Sequence, residues 1–390
     1  MNHFTKQHTF WLVLIFTFML TACQSAPTVK HVSGPIFDDE AFPSAKHISI
    51  ESEKDIFRLD KEARTYVQQT VGHIQDPIER TETLARSIFK RLNFDLLYRG
   101  DANTTANETF HNRAANCLSL SIMTYALANE ADLSVRFQDI QIPEYWTRRE
   151  GVSLLNGHIN LQIIPQARST NSFYLYKRGY QIDFDPQTQK KHFPRKILSK
   201  NQVIAMFYNN KGADALINNE RDLAYAYFSA ALKVEPNFDS ALVNLGFLYR
   251  VSKLFDLAER VYLMALASSP DNLTAWENLA YLYAYSNKPE QSAEILARVE
   301  SKRLRNPYYH LDLGRRDYDS GDLQQALAHF NRALAIDKTR HEIFFALAKT
   351  YFALGEVAET ERYLKKAKRT AKNMQEKELY QGKLDLLSRS

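Results

Sequence analysis

From about residue 205 onward the chain repeats itself every 34 residues, and no other feature restricts its fold as much. Gly212, Gly246, Ala280, Gly314 and Ala348 mark one position of this register. Ala224, Ala258, Ser292, Ala326 and Thr360 mark a second, and Phe228, Tyr262, Leu296, Phe330 and Leu364 a third. Ala231, Ala265, Val299, Ala333 and Ala367 mark a fourth, and Pro236 and Pro270 end two of the units. Small residues let paired helices approach, and large ones fill the space between neighbouring units. The spacing predicts five helix pairs stacked over 205–374, with a terminal helix over 375–390 that covers the last of them.

The period and these four positions resemble tetratricopeptide (TPR) repeats. The resemblance implies an all-α superhelix whose concave face is built from the first helix of each pair. Asn210, Asn244 and Asn278 recur one period apart on those helices, accompanied by Tyr208, Tyr249, Trp276 and Tyr283. Asparagine amides there can hydrogen-bond the backbone of an extended peptide, or they can simply be consensus residues beside aromatic core. A protein or peptide partner in this groove is the expectation.

The N-terminus carries one formal charge, Lys6, ahead of an apolar run from Phe10 to Leu20. That run is short for a bilayer span and sits where a secretory apolar segment sits. Leu20-Thr21-Ala22-Cys23 resembles the lipobox of bacterial lipoproteins. The resemblance implies that 1–22 is a signal peptide and that Cys23 is lipidated, while Ser, Pro and Gly without sustained periodicity make 23–45 read as a tether to a membrane. Gln24 after the cysteine implies the outer membrane, facing the periplasm. Loss of Lys6 with the leader lowers the formal charge from +5 to +4, and basic residues are interleaved with acidic ones throughout, which argues against a nucleic-acid partner.

Of the two cysteines, this leaves Cys117 as an unpaired thiol in an exported chain. Between Ile50 and Phe94 apolar residues recur at helical spacing, and after Leu133 the pattern turns extended through Phe184. Residues 46–200 therefore read as an α+β domain. Asn116-Cys117 opens an apolar helix, where free amides and the positive macrodipole end favour an anion. Gly157-His158 begins a strand, and Asp183 and Asp185 lie on the next. A thiol nucleophile needs an imidazole to take its proton and a third group to orient that imidazole.

This order resembles the transglutaminase-like superfamily of the papain-like fold. The resemblance implies Cys117 as nucleophile, His158 as general base, and Asp183, or alternatively Asp185, as the orienting carboxylate. The aspartates share a strand face, so spacing does not choose between them. Relatives often have Trp where Asn160 follows His158-Ile159, so substrate-side details do not carry over. No His-x-x-x-His or Cys-x-x-Cys spacing suggests a metal, and no cofactor is implied. The function expected is a membrane-anchored cysteine peptidase, amidase or acyltransferase working through a thioester, with the repeats recruiting its partner. The alternative is a non-catalytic scaffold lipoprotein with a degenerate enzyme-like domain.

Overall fold

The structure is a computed structural model that describes residues 34–93, 97–98, 102–112, 114–149, 152–164, 180–182, 184, 193–371 and 374–388. After a single 3₁₀ turn at Ala45–His47, the N-terminal half runs α1 (Glu53–Phe57), α2 (Lys61–Val71), α3 (Pro77–Asn93), β1 (Leu97–Tyr98), α4 (Ala106–His111), β2 (Ala114–Ala115) and α5 (Cys117–Glu130). Strands β3 (Ser134–Ile140), β4 (Tyr145–Arg149), β5 (Val152–Asn156), β6 (Ile159–Ile164), β7 (Tyr180–Ile182) and β8 (Arg195–Leu198) follow. Side-chain caps fix the helix starts. Ser52 and Thr105 form capping boxes with Asp55 and Glu108, while Asp60 and Asn116 accept from the amides of Ala63 and Ser119.

Four strands form an antiparallel sheet in the order β7-β6-β3-β8, with Phe137 opposite both Leu161 and Leu198, and Leu161 opposite Ile182. The two-residue period puts Phe137, Ile159, Leu161, Ile163 and Ile182 in the core. Helix α5 packs on β6 and β3, and Tyr125 stacks on Phe137 with ring centroids 4.8 Å apart. Nearly every residue of α5 from Leu118 to Ala128 is buried, which is why its sequence is apolar all round. The β4–β5 hairpin stands apart from this sheet as its own two-stranded ribbon.

Ser199 caps the next helix in a capping box with Gln202, and five antiparallel helix pairs follow. They are α6 (Lys200–Ile217) with α7 (Arg221–Val234), α8 (Asp239–Val251) with α9 (Phe255–Ser268), α10 (Leu273–Tyr285) with α11 (Pro289–Arg303), α12 (Pro307–Ser320) with α13 (Leu323–Ile336), and α14 (His341–Ala353) with α15 (Val357–Thr370). Helix α16 (Met374–Leu387) lies on α15. The 34-residue period is also written in the backbone. Asn219, Lys253, Asn287, Gly321 and Gly355, each in the turn inside a pair, all have positive φ. Lys253 is the residue least suited to that conformation.

The small position works by close approach. A Cβ on Gly212, Gly246 or Gly314 would lie 2.6, 2.5 and 2.5 Å from a ring carbon of Phe228, Tyr262 and Phe330 respectively. Gly246→Ala gains about 1 kcal/mol of helix propensity, but the fully buried Tyr262 ring has no room to swing aside, and overpacking costs about 1–3 kcal/mol. Thermal melting of Gly246→Ala is expected to show net destabilisation. A rise in melting temperature would mean that the pair separates freely.

Two hydrophobic cores result, and their boundary falls inside the array. One runs continuously from Phe42 through the helices and sheet to Val299 of α11, and the second from Leu311 of α12 to Tyr380 of α16. Residues 34–45, assigned by composition to a tether, lie against the first repeats. The Tyr249 hydroxyl donates to the Ile36 carbonyl at 2.5 Å, Arg260 to that of Pro35 at 2.7 Å, and Phe42 stacks on Tyr225 at 4.5 Å. The Tyr225 hydroxyl accepts from the Asp38 amide and donates to Asp39, and burial together with that carboxylate pushes its phenol well above the usual range. Further on, Glu51 receives the Tyr227 hydroxyl at 2.8 Å and pairs with Lys211 at 3.0 Å. Burial opposes ionisation of Glu51, but these partners and its backbone bond outweigh burial and hold the carboxyl below its usual range. No helix among the described residues is long and apolar enough to cross a membrane.

Candidate functional site

Cys117 is the first residue of α5, half-buried and unpaired. Asn116 caps the helix by accepting from the Ser119 amide at 2.9 Å. His158 is buried in the short break between β5 and β6, and its carbonyl accepts from the Ile140 amide at 2.9 Å, which ties it to β3. The helix that Cys117 opens thus packs on the strand that His158 precedes. Asp183, Asp185 and Cys23 lie outside the described residues. A carboxylate that no motif singles out, Asp139, stands opposite Ile159, the neighbour of His158. Burial pushes its carboxyl above the ordinary range, against the Gln141 amide, Lys196 and His158 nearby. Among the described residues no cluster of three or more His, Cys, Asp or Glu could hold a metal ion.

The groove candidates are engaged within the chain. Asn210 donates to Asn103 at 3.3 Å, and Asn116, the cap of the Cys117 helix, donates to the same Asn103 oxygen at 2.6 Å. Asn103 in turn donates to Asp214 of α6 at 2.6 Å, and Asp214 pairs with Arg149 of β4 at 2.5 Å. Asn244 donates to Asn209 at 2.8 Å, and Asn209 donates to Asn210 at 3.5 Å. Asn278 donates to the Thr274 carbonyl one turn back. Amides of the first two repeats therefore reach the start of the Cys117 helix through one side-chain network. Tyr208, Tyr249 and Trp276 are buried and belong to the packing.

A second contact joins the halves at α10–α12. Arg303, the last residue of α11, is 2% exposed. Its guanidinium donates to Glu144 at 2.9 and 3.3 Å and to Glu277 at 2.9 Å, and lies 4.9 Å from the Trp146 ring centroid. Burial opposes its charge, but the two carboxylates more than offset that and raise its pKa above the ordinary value. Asn306 donates to the Glu144 carbonyl at 2.6 Å and Arg315 to the Trp146 carbonyl at 3.3 Å. Tyr145 and Trp146 face Tyr308 and Tyr309 at 5.4 and 6.2 Å. Exposed aromatics remain farther along the first helices of the array, with Tyr285 72% and Phe352 62% exposed.

Comparison with known proteins bears on the repeats. The family model for the TPR repeat matches residues 314–355, from α12 to the turn before α15. No curated protein matches the chain. Similar solved structures include YrrB, described as a TPR protein with an unusual peptide-binding site (20% identity, 44% of this chain and 89% of that one, TM-score 0.25). They also include PilF of Pseudomonas aeruginosa (16%, 45% and 80%, TM-score 0.28) and a thermophilic TPR protein of Thermus thermophilus (24%, 46% and 97%, TM-score 0.29). Superpositions this loose carry no functional argument. The family-model match, the five helix pairs and the backbone period agree in making the C-terminal array a TPR superhelix, a type of module that binds protein or peptide partners.

Proposed function

We propose that the chain recruits a protein partner with its repeats and acts on it through Cys117, as a membrane-tethered cysteine peptidase, amidase or acyltransferase of transglutaminase-like type. One observation carries this reading: the unpaired Cys117 begins a side-chain-capped helix that packs on the strand His158 precedes. The Cys117 thiolate attacks an amide carbonyl carbon, and His158 holds the thiol proton. As the C–N bond breaks, the imidazolium hands that proton to the leaving amine, and a thioester remains on sulfur. Water, giving a proton to the same imidazole, then releases the acid and restores the thiol. The free amides at the start of α5 face developing negative charge favourably, and Asp183 or Asp185 orients His158. Cys23 carries the lipid that holds the protein to the envelope, at the outer membrane facing the periplasm.

The test is the rate at which iodoacetamide alkylates Cys117 at pH 6 in the full chain. His158→Ala is expected to slow the reaction at least tenfold. Equal rates in the two proteins would remove the ion pair, and with it the enzyme reading.

A second reading, a non-catalytic TPR scaffold, draws on the engagement of Asn210 and Asn244 within the chain itself. There the helix-and-sheet half braces the array and Cys117 only packs. Unchanged alkylation in His158→Ala favours this reading.

A further inference from the structure

The repeat helices grip one stretch of the chain's own backbone in a way suited to a peptide. In β4 the Tyr145 carbonyl points toward β5, where Asn156 reaches it at 3.4 Å. The carbonyls of Glu144 and Trp146, two residues apart, point the other way and are taken by side-chain donors of Asn306 and Arg315. Such donors read extended backbone regardless of sequence. Identity is read separately, by the Arg303 fork on the Glu144 carboxylate and by tyrosines beside the Tyr145 and Trp146 rings. The segment does not fill the site. A cleft of about 820 Å³ continues along the same loops, bordered by Lys302, Arg305, Asp239 and Asp271.

We propose that the α10–α12 face of the array is a recognition site for an extended peptide bearing a glutamate followed by two aromatic residues, and that the β4–β5 hairpin is its resident occupant. The proposal rests on the reading that the repeats bind a partner, and it gives that partner's chemistry. A tethered occupant is present at high effective concentration, so a free peptide binds with its affinity reduced by the fraction of time the site stands open. The hairpin also carries Arg149, whose pairing with Asp214 leads through Asn103 to Asn116, so displacement by a partner reaches the cap of the Cys117 helix.

The probe is a fluorescein-labelled hexapeptide, Ile-Pro-Glu-Tyr-Trp-Thr, titrated into the full chain and followed by fluorescence anisotropy. The double variant Glu144→Ala, Trp146→Ala keeps the hairpin ladder but withdraws its side chains, and is expected to bind at least tenfold more tightly than the wild type. Changing the peptide's glutamate to glutamine should cost at least tenfold against the same protein, a comparison that does not depend on how any variant folds. Equal affinity of wild type and double variant, or indifference to that glutamine, overturns the proposal. A photo-crosslinker placed at Tyr285 separates the two levels of inference. Protein adducts from Tyr285 with no peptide binding overturn this site and leave the partner reading standing, whereas neither adducts nor peptide binding overturns both.

Discussion

Replacing Arg303 with alanine is expected to destabilise the chain by about 3 kcal/mol, among the largest effects of any single substitution in the array. The guanidinium is almost wholly buried and serves two carboxylates and one indole ring at once. Removing it leaves Glu144 and Glu277 facing each other, short of the charge that offsets their loss of water. Each carboxylate side chain keeps about a quarter of its exposure, which places the cost at the lower end of the range for a buried pair. Guanidinium unfolding of Arg303→Ala beside Arg303→Met, Glu144→Gln, Glu277→Gln is the direct measurement. The triple variant, which removes all three charges together, should recover part of the loss. A loss below about 1 kcal/mol in the single variant would show that solvent replaces the arginine, as it does in a surface ion pair.

Cutting the chain after Leu198 is expected to abolish cooperative folding of what remains, while cutting after Asn306 is not. The first cut follows a boundary natural to the sequence, where strands give way to repeats, yet it passes through the larger core. Val203, Ile204 and Phe207 of α6 are fully buried in that core. Three such side chains at about 1.5–3 kcal/mol each represent much of the stability of an ordinary domain. Tyr208, whose hydroxyl holds the Glu51 carbonyl at 2.7 Å, and two partners of Asn103, Asn210 and Asp214, are lost as well. The later cut falls between Val299 and Leu311, where one core ends and the other begins. Circular dichroism melts of fragments 34–198 and 34–306 should show a broad, non-cooperative change for the first and a sharp transition for the second. A sharp transition in fragment 34–198 would show that the helix-and-sheet half sustains itself.

The parts of this molecule that sequence could show are those that periodic packing writes into it. Gly246 beside Tyr262 and Gly314 beside Phe330 repeat because every unit solves one contact in the same way, and the register placed all five pairs. The extended segments 134–140 and 159–164 were legible through the alternation of Phe137, Ile159, Leu161 and Ile163, and the helix at Cys117 through its strongly apolar composition. Contacts made once leave no such trace. Arg303 and Glu144 are 159 positions apart, and each looks like one more surface charge until the fold brings them together. Asn103 lies in a polar stretch that reads as loop, and only three-dimensional proximity makes it the junction of Asn116, Asn210 and Asp214. Asp139 was hidden for a different reason: a carboxylate in a strand is ordinarily assigned to the solvent face, and burial appears only when the neighbouring strands are in place. Of the site expected at Cys117, the helix start and the packing against the His158 strand are visible in the structure, while Asp183 and Asp185 lie outside the described residues.

The strap formed by residues 35–47 also has a mechanical meaning. Because Ile36 and Phe42 are fastened to Tyr249 and Tyr225, a pull on the chain ahead of Gly34 is borne by the first two repeats before it reaches the first helix. The second repeat, which holds Pro35 and Ile36, rather than the sheet, is therefore where such a load first arrives. Helices α13 to α16, whose buried residues belong to the second core, stand outside that line of force.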